Sequence, residues 1–417
     1  MPVPAPPLGS AAVVGGGPAG LMAAEVLATA GFRVHVYEHM PSVGRKLLLA
    51  GRSGLNLTNS EPLDDLLSRY GDAPIIHRAV SDFPPSQLRA WCLGLGEPTY
   101  TGSSGRVFPS SFRATPLLRS WLGRLDALGV QMHLRHRWLG WGRTADGSLD
   151  PLLLRFQPSG RLAVEVHCDV TVFALGGASW PRVGSDGGWV APFRAAGLHV
   201  RALRPSNCGV IVGWTQRFTD RFAGTPLKNV CLAVGAHNAR GDATITTTGL
   251  ESGPVYTLSA AVRDRIERDG SCTMVIDLHP DLTTEVVRRR LGARRPKDSL
   301  ATALRRTLGL APVAVALLRE ATDNRPPTGD EELARLVKAV PITIRGVASI
   351  ERAISTAGGL ALTELDEHFM VRALPGTFVA GEMLDWEAPT GGYLLQASFS
   401  SAVAAATGAV DWRVARR

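Results

Sequence analysis

Six residues near the start of the 417-residue chain, Gly15-Gly16-Gly17-Pro18-Ala19-Gly20, have the spacing G-x-G-x-x-G. An acid, Glu38, stands about 20 residues further on. Such a set binds a dinucleotide. Gly15 permits a tight turn, Gly17 lets the backbone approach a pyrophosphate, and Gly20 lets a helix pack on a strand. Pro18 and Ala19 occupy the first helical turn, whose unpaired N–H groups attract phosphate. The Glu38 carboxylate is placed to accept from ribose hydroxyls. It would repel a 2′-phosphate, which disfavours NADP and leaves NAD and FAD.

Three further stretches help to decide between them. "TFVAGEMLDWEAPTGGYLLQ" (Thr377 to Gln396) reads as a core strand ending in Gly381 and Glu382, then a Gly391-Gly392 pair opening a helix at Tyr393 and Leu394. An acid at such a strand end can hold a ribityl chain. A helix start there directs N–H groups at negative charge developing on a reduced ring. "FALGGASW" places Gly176-Gly177 after a buried strand, where a chain passes a cofactor and turns outward. "VGRKLLLAGRSGLNLTN" (Val43 to Asn59) is an unusually polar run, which the family resemblance given below implies is a cofactor-facing loop. In it Gly44, Arg45 and Lys46 offer charge to a phosphate or a ring edge, and Asn56 and Thr58 offer hydrogen bonds. A returning C-terminal contact of this kind favours FAD over NAD.

The elements that must position these residues follow from hydrophobic period. "AAVV", "LMAAEVLATAG" and "RVHVYE" give strand, helix, strand around the glycine loop. An amphipathic helix over 116–130 is followed by strands near "QMHLRH", "LLLRF" and "LAVEVH". The texture changes at about Leu203, to short β-type runs and then to helices broken at Pro326-Pro327. The expected organisation is an FAD-binding domain from 1–202 and 345–417, with an insert over 203–344 that is β-rich first and helical second.

Composition sets limits. Hydrophobic residues make 45% and charged residues 20% of the chain, as in an ordinary soluble globular protein. The net charge of +8 is almost all Arg, since Lys occurs only at 46, 228, 297 and 338. The run "RRRLGARRPK" (Arg288 to Lys297) looks helical and reads as a solvated face, so nucleic acid is not an expected partner. Cys92, Cys168, Cys208, Cys231 and Cys272 form no Cys-x-x-Cys pair, and no histidines have metal-ligand spacing. The thiols should be chemically idle, no metal is expected, and a reducing cytoplasm is the expected compartment. The Pro-rich opening lacks signal-peptide features, and no uncharged apolar run reaches the ~18 residues of a membrane span.

Together "VGRKLLLAGRSGLNLTN", "GSSGRVFP", "ALGGASWPRVGSDGG", "TGLESGPVYTLS" and "GEMLDWEAPTGGYLLQASFSS" resemble the aminoacetone-oxidase-like (BaiN/YhiN-type) family of bacterial FAD-binding flavoproteins. The likeness runs in order from about Ala11 to Ala405. It implies an α/β fold: a glutathione-reductase-like Rossmann FAD domain with an inserted β-barrel and helical cap. The family's second motif runs Gly-Arg-Lys, two aliphatics, Ser-Gly, then Gly-Arg-Cys-Asn. Here the Arg-Cys positions are Gly54-Leu55, which implies a divergent subfamily with a differently shaped pocket.

With FAD, the hydride chemistry comes from the flavin and the protein positions it. Tyr256, Trp180, Arg106 and the step Ser252-Gly253-Pro254 are candidates to approach substrate, and no general base is assigned. The expected activity is an FAD-dependent oxidoreductase on a small organic molecule, with amine oxidation or dehydrogenation one form of it. An NAD(P)H-fed reductase, an NAD-dependent dehydrogenase and an RNA-associated flavoprotein stay open. No second strand–G-x-G-x-x-G–helix unit occurs between Leu203 and Val340. NAD(P)H is therefore expected only as a transient guest, with an organic donor reducing the flavin and oxygen or another acceptor reoxidising it.

Overall fold

The computed structural model describes residues 7–295 and 297–417; most of the Pro-rich opening over 1–10 lies outside them. The chain divides into two compact units, Met1–Arg204 with Ser355–Arg417, and Pro205–Ile354.

The first unit is built on a five-stranded sheet in the order Thr377–Val379, Val170–Phe173, Ser10–Val14, Arg33–Glu38, Gln131–Leu134. All its neighbours are parallel. The central strands read as unbroken apolar runs because both faces are covered. Val13, Val36, Val172 and Phe378 are fully buried. Helices Pro18–Thr29 and Tyr393–Val414 pack against each other. The second of these shows little amphipathicity because it is buried nearly all round; Ala397, Phe399, Ala402, Ala405 and Ala409 have no exposure. Two small antiparallel sheets complete the unit. One joins Thr58–Asn59, Arg106–Pro109 and Thr99–Thr101. The other joins His136–Arg143, Leu149–Pro158 and Val164–His167.

The second unit has its own apolar core. Its strands close a six-stranded barrel in the order Val210–Val212, Gly249–Glu251, His237–Ile245, Pro226–Val234, Cys272–Asp277, Val340–Val347. Closure leaves no strand edge unpaired. The helices Thr284–Gly292, Leu300–Leu308, Pro312–Glu320 and Asp330–Lys338 follow in sequence between the last two barrel strands. The α/β architecture with a barrel and helices is thus the one the sequence implied. The basic run is helical only through Gly292; Arg294, Arg295 and Lys297 follow the helix end. Arg288 pairs with Glu285 at 2.6 Å, as expected of a solvated face.

One buried carboxylate fastens the helix that follows the glycine loop. Glu25 accepts from the indole Nε1 of Trp121 at 2.6 Å, from that of Trp91 at 3.1 Å and from Arg124 Nη1 at 2.8 Å. Truncating it would leave two indole donors and a cation without their acceptor. Glu25→Ala is expected to lower the unfolding free energy by about 2–4 kcal/mol. Denaturant titration checks this, and a loss under about 0.5 kcal/mol would show that the clasp is redundant.

The cysteines are unpaired, and all but Cys231 are buried. Burial pushes the Cys92 thiol up to about 12, and those of Cys168 and Cys208 up to about 11. Cys272 is raised for the same reason. Raised values mean vanishingly little thiolate at neutral pH. Native protein treated with iodoacetamide at neutral pH should therefore modify these four only after unfolding. Peptide mapping that finds one of them fully labelled in folded protein would contradict this.

Candidate functional site

The strands Ser10–Val14, Arg33–Glu38, Val170–Phe173 and Thr377–Val379 run parallel, so their carboxyl ends lie along one edge of the sheet. In open α/β sheets ligands bind at that edge. Gly15–Gly20 leaves the first strand there, Glu38 ends the second, Gly176-Gly177 follows the third and Gly381-Glu382 follows the fourth.

The three fingerprint glycines differ in what surrounds them. A Cβ on Gly15 would overlap the carbonyl of Ala174, and one on Gly20 would overlap the carbonyl of Gly15. Both are glycine because backbone meets backbone. Gly17 is different: a Cβ there meets nothing within 4 Å, and its φ of −80° suits any residue. The fold leaves open space at Gly17. Pro18 and Ala19 form the first turn of the helix Pro18–Thr29. Glu38 is buried, with Oε2 accepting from the Gly16 N–H at 2.8 Å and Oε1 from the Met40 N–H at 2.8 Å. A carboxylate has about four acceptor sites, so capacity remains for hydroxyl donors.

Gly44 N–H donates to Gly16 O at 2.8 Å, which ties the polar segment to the loop. The segment is not the loop expected of it. Arg45–Ala50 is helical, Gly51–Ser53 is a 3-10 turn and Thr58–Asn59 is a short strand. A six-residue helix without a side-chain cap leaves little periodic signal to read. Arg45 Nη1 donates to Ser42 Oγ at 3.2 Å, while its Nε is buried without a partner. Asn56 Oδ1 and Thr58 Oγ1 are also buried and unpartnered among the described residues.

Lys46 has partners within the protein. Its Nζ donates to Ser179 Oγ and to Glu382 Oε2, both at 2.6 Å. Glu382 Oε1 accepts from the Thr356 N–H at 3.0 Å, and Thr356 Oγ1 accepts from the Ala178 N–H at 3.0 Å. A Cβ on Gly177 would overlap the Thr356 side chain, and a Cβ on Gly176 would lie 3.4 Å from Ser185 Oγ, another buried atom without a partner. Four chain segments therefore meet in one polar network. Ser179, Ser185 and Thr356 were not singled out from sequence. Ser179 lies in the quoted "ALGGASW", where the glycines drew the reading, and Thr356 carried no local signal.

A Cβ on Gly381 would lie 2.8 Å from that of Ala19, which brings the returning strand against the first helix. Gly392 has φ +98°, and a Cβ there would lie 2.6 Å from Thr58 Cα and closer to its carbonyl. Asn59 Nδ2 donates to Gly391 O at 3.2 Å. The helix Tyr393–Val414 starts on this contact. The Tyr393 ring faces Arg69, 5.9 Å from its centroid, and burial first of all pushes its hydroxyl up to about 12. Leu394 is half-buried against the core. Arg106 is exposed, and Trp180 has φ +61° before the turn Pro181–Val183. Ser252, in the second unit, has φ +93° and shares a hydroxyl contact of 2.8 Å with Thr244; Tyr256 is half-buried on the helix that follows.

The donor set fits an FAD molecule. Open backbone at Gly17 suits a pyrophosphate, Glu38 suits ribose hydroxyls, and the unpartnered polar atoms suit a further polar ligand. No helix of the structure is long and apolar enough to cross a membrane, and no cluster of metal-binding side chains occurs among the described residues.

The HI0933-like protein Rossmann domain family matches residues 9–408. The chain is 24% identical, over 96% of its length and 98% of the other, to a 3-dehydro-bile acid delta(4,6)-reductase of Clostridium scindens. It is 24% identical, over 94% of its length and 96% of the other, to a ribosomal RNA dihydrouridine synthase of Haemophilus influenzae. Its fold is like that of 3-ketosteroid delta1-dehydrogenase from Sterolibacterium denitrificans, with TM-score 0.55, 12% identity, and coverage of 97% and 99% of the two chains. The chain therefore belongs to the HI0933-like Rossmann FAD-binding family, and it is an FAD-dependent oxidoreductase.

Proposed function

We propose that the enzyme exchanges hydride between FAD and a carbon–carbon double bond conjugated to a carbonyl in a small organic molecule. The observation that carries this reading is the chemistry shared by two curated relatives. A delta(4,6)-reductase and a dihydrouridine synthase are both named for saturating such a bond, in different molecules, and each aligns over nearly the whole chain. When bound, FAD supplies hydride exchange at its N5. The chain's own residues do the rest. The Gly15–Gly20 loop and the helix start at Pro18 hold the pyrophosphate, and Glu38 accepts from the adenosine ribose. Gly44, Arg45, Asn56 and Thr58 face the remainder of the cofactor, together with Gly176 and Gly177. Lys46 and Glu382 lock each other and present their remaining hydrogen-bonding capacity to the ribityl chain. Gly391 and Gly392 aim the N-terminal turn of the helix, through Tyr393 and Leu394, at negative charge on the ring.

The electron source is a separate element of the proposal. The second unit is a barrel with helices and carries no second dinucleotide fingerprint. When hydride goes to the double bond a reductant must restore the electrons, NAD(P)H as a transient guest or an organic donor; when the substrate is instead dehydrogenated, oxygen or another acceptor takes them.

Two experiments test the proposal. Gly17→Val should fold, because the space is open, yet lose its flavin; Glu38→Ala should weaken FAD by about 1–3 kcal/mol. A flavin-replete Gly17→Val protein would sink the cofactor assignment. Photoreduced enzyme mixed anaerobically with 2-cyclohexenone, 4-androstene-3,17-dione, uridine or fumarate should be reoxidised by at least one of them. Reoxidation by none, together with bleaching of oxidised enzyme by a primary amine, would replace this reading with amine oxidation.

A further inference from the structure

The second unit carries a charge imbalance that neither its own packing nor the cofactor assignment accounts for. The 26 residues from Thr284 to Gly309 hold seven Arg and one Lys against two acids, Glu285 and Asp298. That net +6 compares with +8 for all 417 residues. The excess charge of the protein is therefore concentrated in two helices, Thr284–Gly292 and Leu300–Leu308, and the connection between them.

Part of this charge is neutralised within the unit. Arg288 pairs with Glu285 at 2.6 Å and with Glu331 at 3.6 Å, Arg294 with Asp330 at 3.1 Å, and Arg306 with Asp298 at 2.9 Å. Asp330 and Glu331 belong to the helix Asp330–Lys338, which packs against Thr284–Gly292. The other five cations, Arg289, Arg290, Arg295, Lys297 and Arg305, are exposed and make no ion pair among the described residues. A helix turns by about 100° per residue. With Val287 and Leu291 buried and Arg288 turned to the neighbouring helix, Arg289 and Arg290 point away from both. The basic run is a solvated, self-paired face only at Arg288 and Arg294.

The apolar sides of the two helices are used by the core of the unit. Val287 and Leu291 on the first, and Ala303, Leu304 and Leu308 on the second, are buried. No large apolar side chain is exposed on this segment among the described residues. A helix that lies on a membrane inserts an apolar face, and a protein interface is anchored by buried aromatic or aliphatic side chains. This surface offers neither. What it offers is guanidinium forks, which match phosphate oxygens two at a time.

We propose that Arg289, Arg290, Arg295, Lys297 and Arg305 form a contact surface for the phosphate backbone of RNA. This rests on the double-bond reading above, for which one of the two relatives is named for ribosomal RNA. In that reading a uracil ring carries the double bond, and the cationic surface holds the strand to which the ring belongs. Backbone contacts position a strand without reading its sequence, so salt rather than base order sets the affinity.

The test is a titration of the flavin-loaded full chain against a fluorescein-labelled, uridine-containing single-stranded RNA, read as fluorescence anisotropy between about 50 and 200 mM NaCl. Five neutralised phosphates on a single strand set a slope of log K against log[salt] of about −3.5. Arg289→Gln with Arg290→Gln and Arg305→Gln should raise Kd by about tenfold or more and flatten the slope by about 2. A control that removes the same charge from exposed positions of the first unit, Arg119→Gln with Arg161→Gln and Arg372→Gln, should stay within about threefold of wild type. The substituted side chains in the second unit are exposed and unpaired, and flavin content and melting temperature confirm that each variant is intact. RNA that fails to bind the wild type, or that binds the second-unit variant as tightly, overturns the proposal. So does a control variant weakened as much as the second-unit variant, or tighter binding to phosphatidylcholine–phosphatidylserine vesicles than to RNA. Reoxidation of photoreduced enzyme by uridine or 2-cyclohexenone without RNA binding keeps the double-bond chemistry and overturns the contact. RNA held through these arginines, with no reoxidation by RNA, uridine or 2-cyclohexenone, supports the contact and removes the double-bond chemistry.

Discussion

The site depends on backbone approaching backbone. At the carboxyl edge of the parallel sheet, Gly20 touches the Gly15 carbonyl, Gly15 touches the Ala174 carbonyl, and Gly392 touches Thr58. None of these contacts has room for a methyl group. Segments far apart in sequence are thereby brought to one line, and the returning strand Thr377–Val379 delivers Gly381 against Ala19. Gly17 shows the constraint by contrast. A Cβ there would meet nothing within 4 Å, so packing within the fold does not require glycine at this position.

Charge is arranged on top of this frame. Glu38 and Glu382 each accept from backbone N–H groups, and Glu382 also takes Lys46. Neither carboxylate is a free anion waiting for a partner. Each has a fixed orientation, so little side-chain entropy would be lost on accepting a further hydrogen bond. The Lys46–Glu382 pair joins residues 336 positions apart, and both side chains are largely buried. Removing one member of such a pair leaves the other without compensation, which costs more than the pair itself contributes. The pair is better understood as a positional lock than as a source of stability.

These differences explain which parts were legible in the sequence. The glycine loop, Glu38 and the Gly391-Gly392 helix start are local devices: a few neighbouring residues carry the whole chemical reason for their presence. The β-rich and then helical character of the insert was legible as a change of periodicity, whereas closure of its strands into a barrel was implied only by the family resemblance. Ser179, Ser185 and Thr356 were not, because each acts through a partner that only the tertiary fold supplies. Lys46 was noticed, but a charge near a phosphate site reads as a phosphate ligand until Glu382 is seen beside it. The helix Arg45–Ala50 was hidden by its brevity and by a left-handed Gly44 at its start in place of a side-chain cap.

The same distinction bears on how a shared frame accommodates different substrates. The backbone contacts at the sheet edge cannot be altered one residue at a time, since a Cβ at Gly15, Gly20 or Gly392 would displace a neighbouring chain segment. Gly54 is under a mixed constraint. A Cβ there would meet a side chain, the Phe112 ring, rather than backbone, yet its φ of +112° still favours glycine, so relief of the ring contact alone would not free the position.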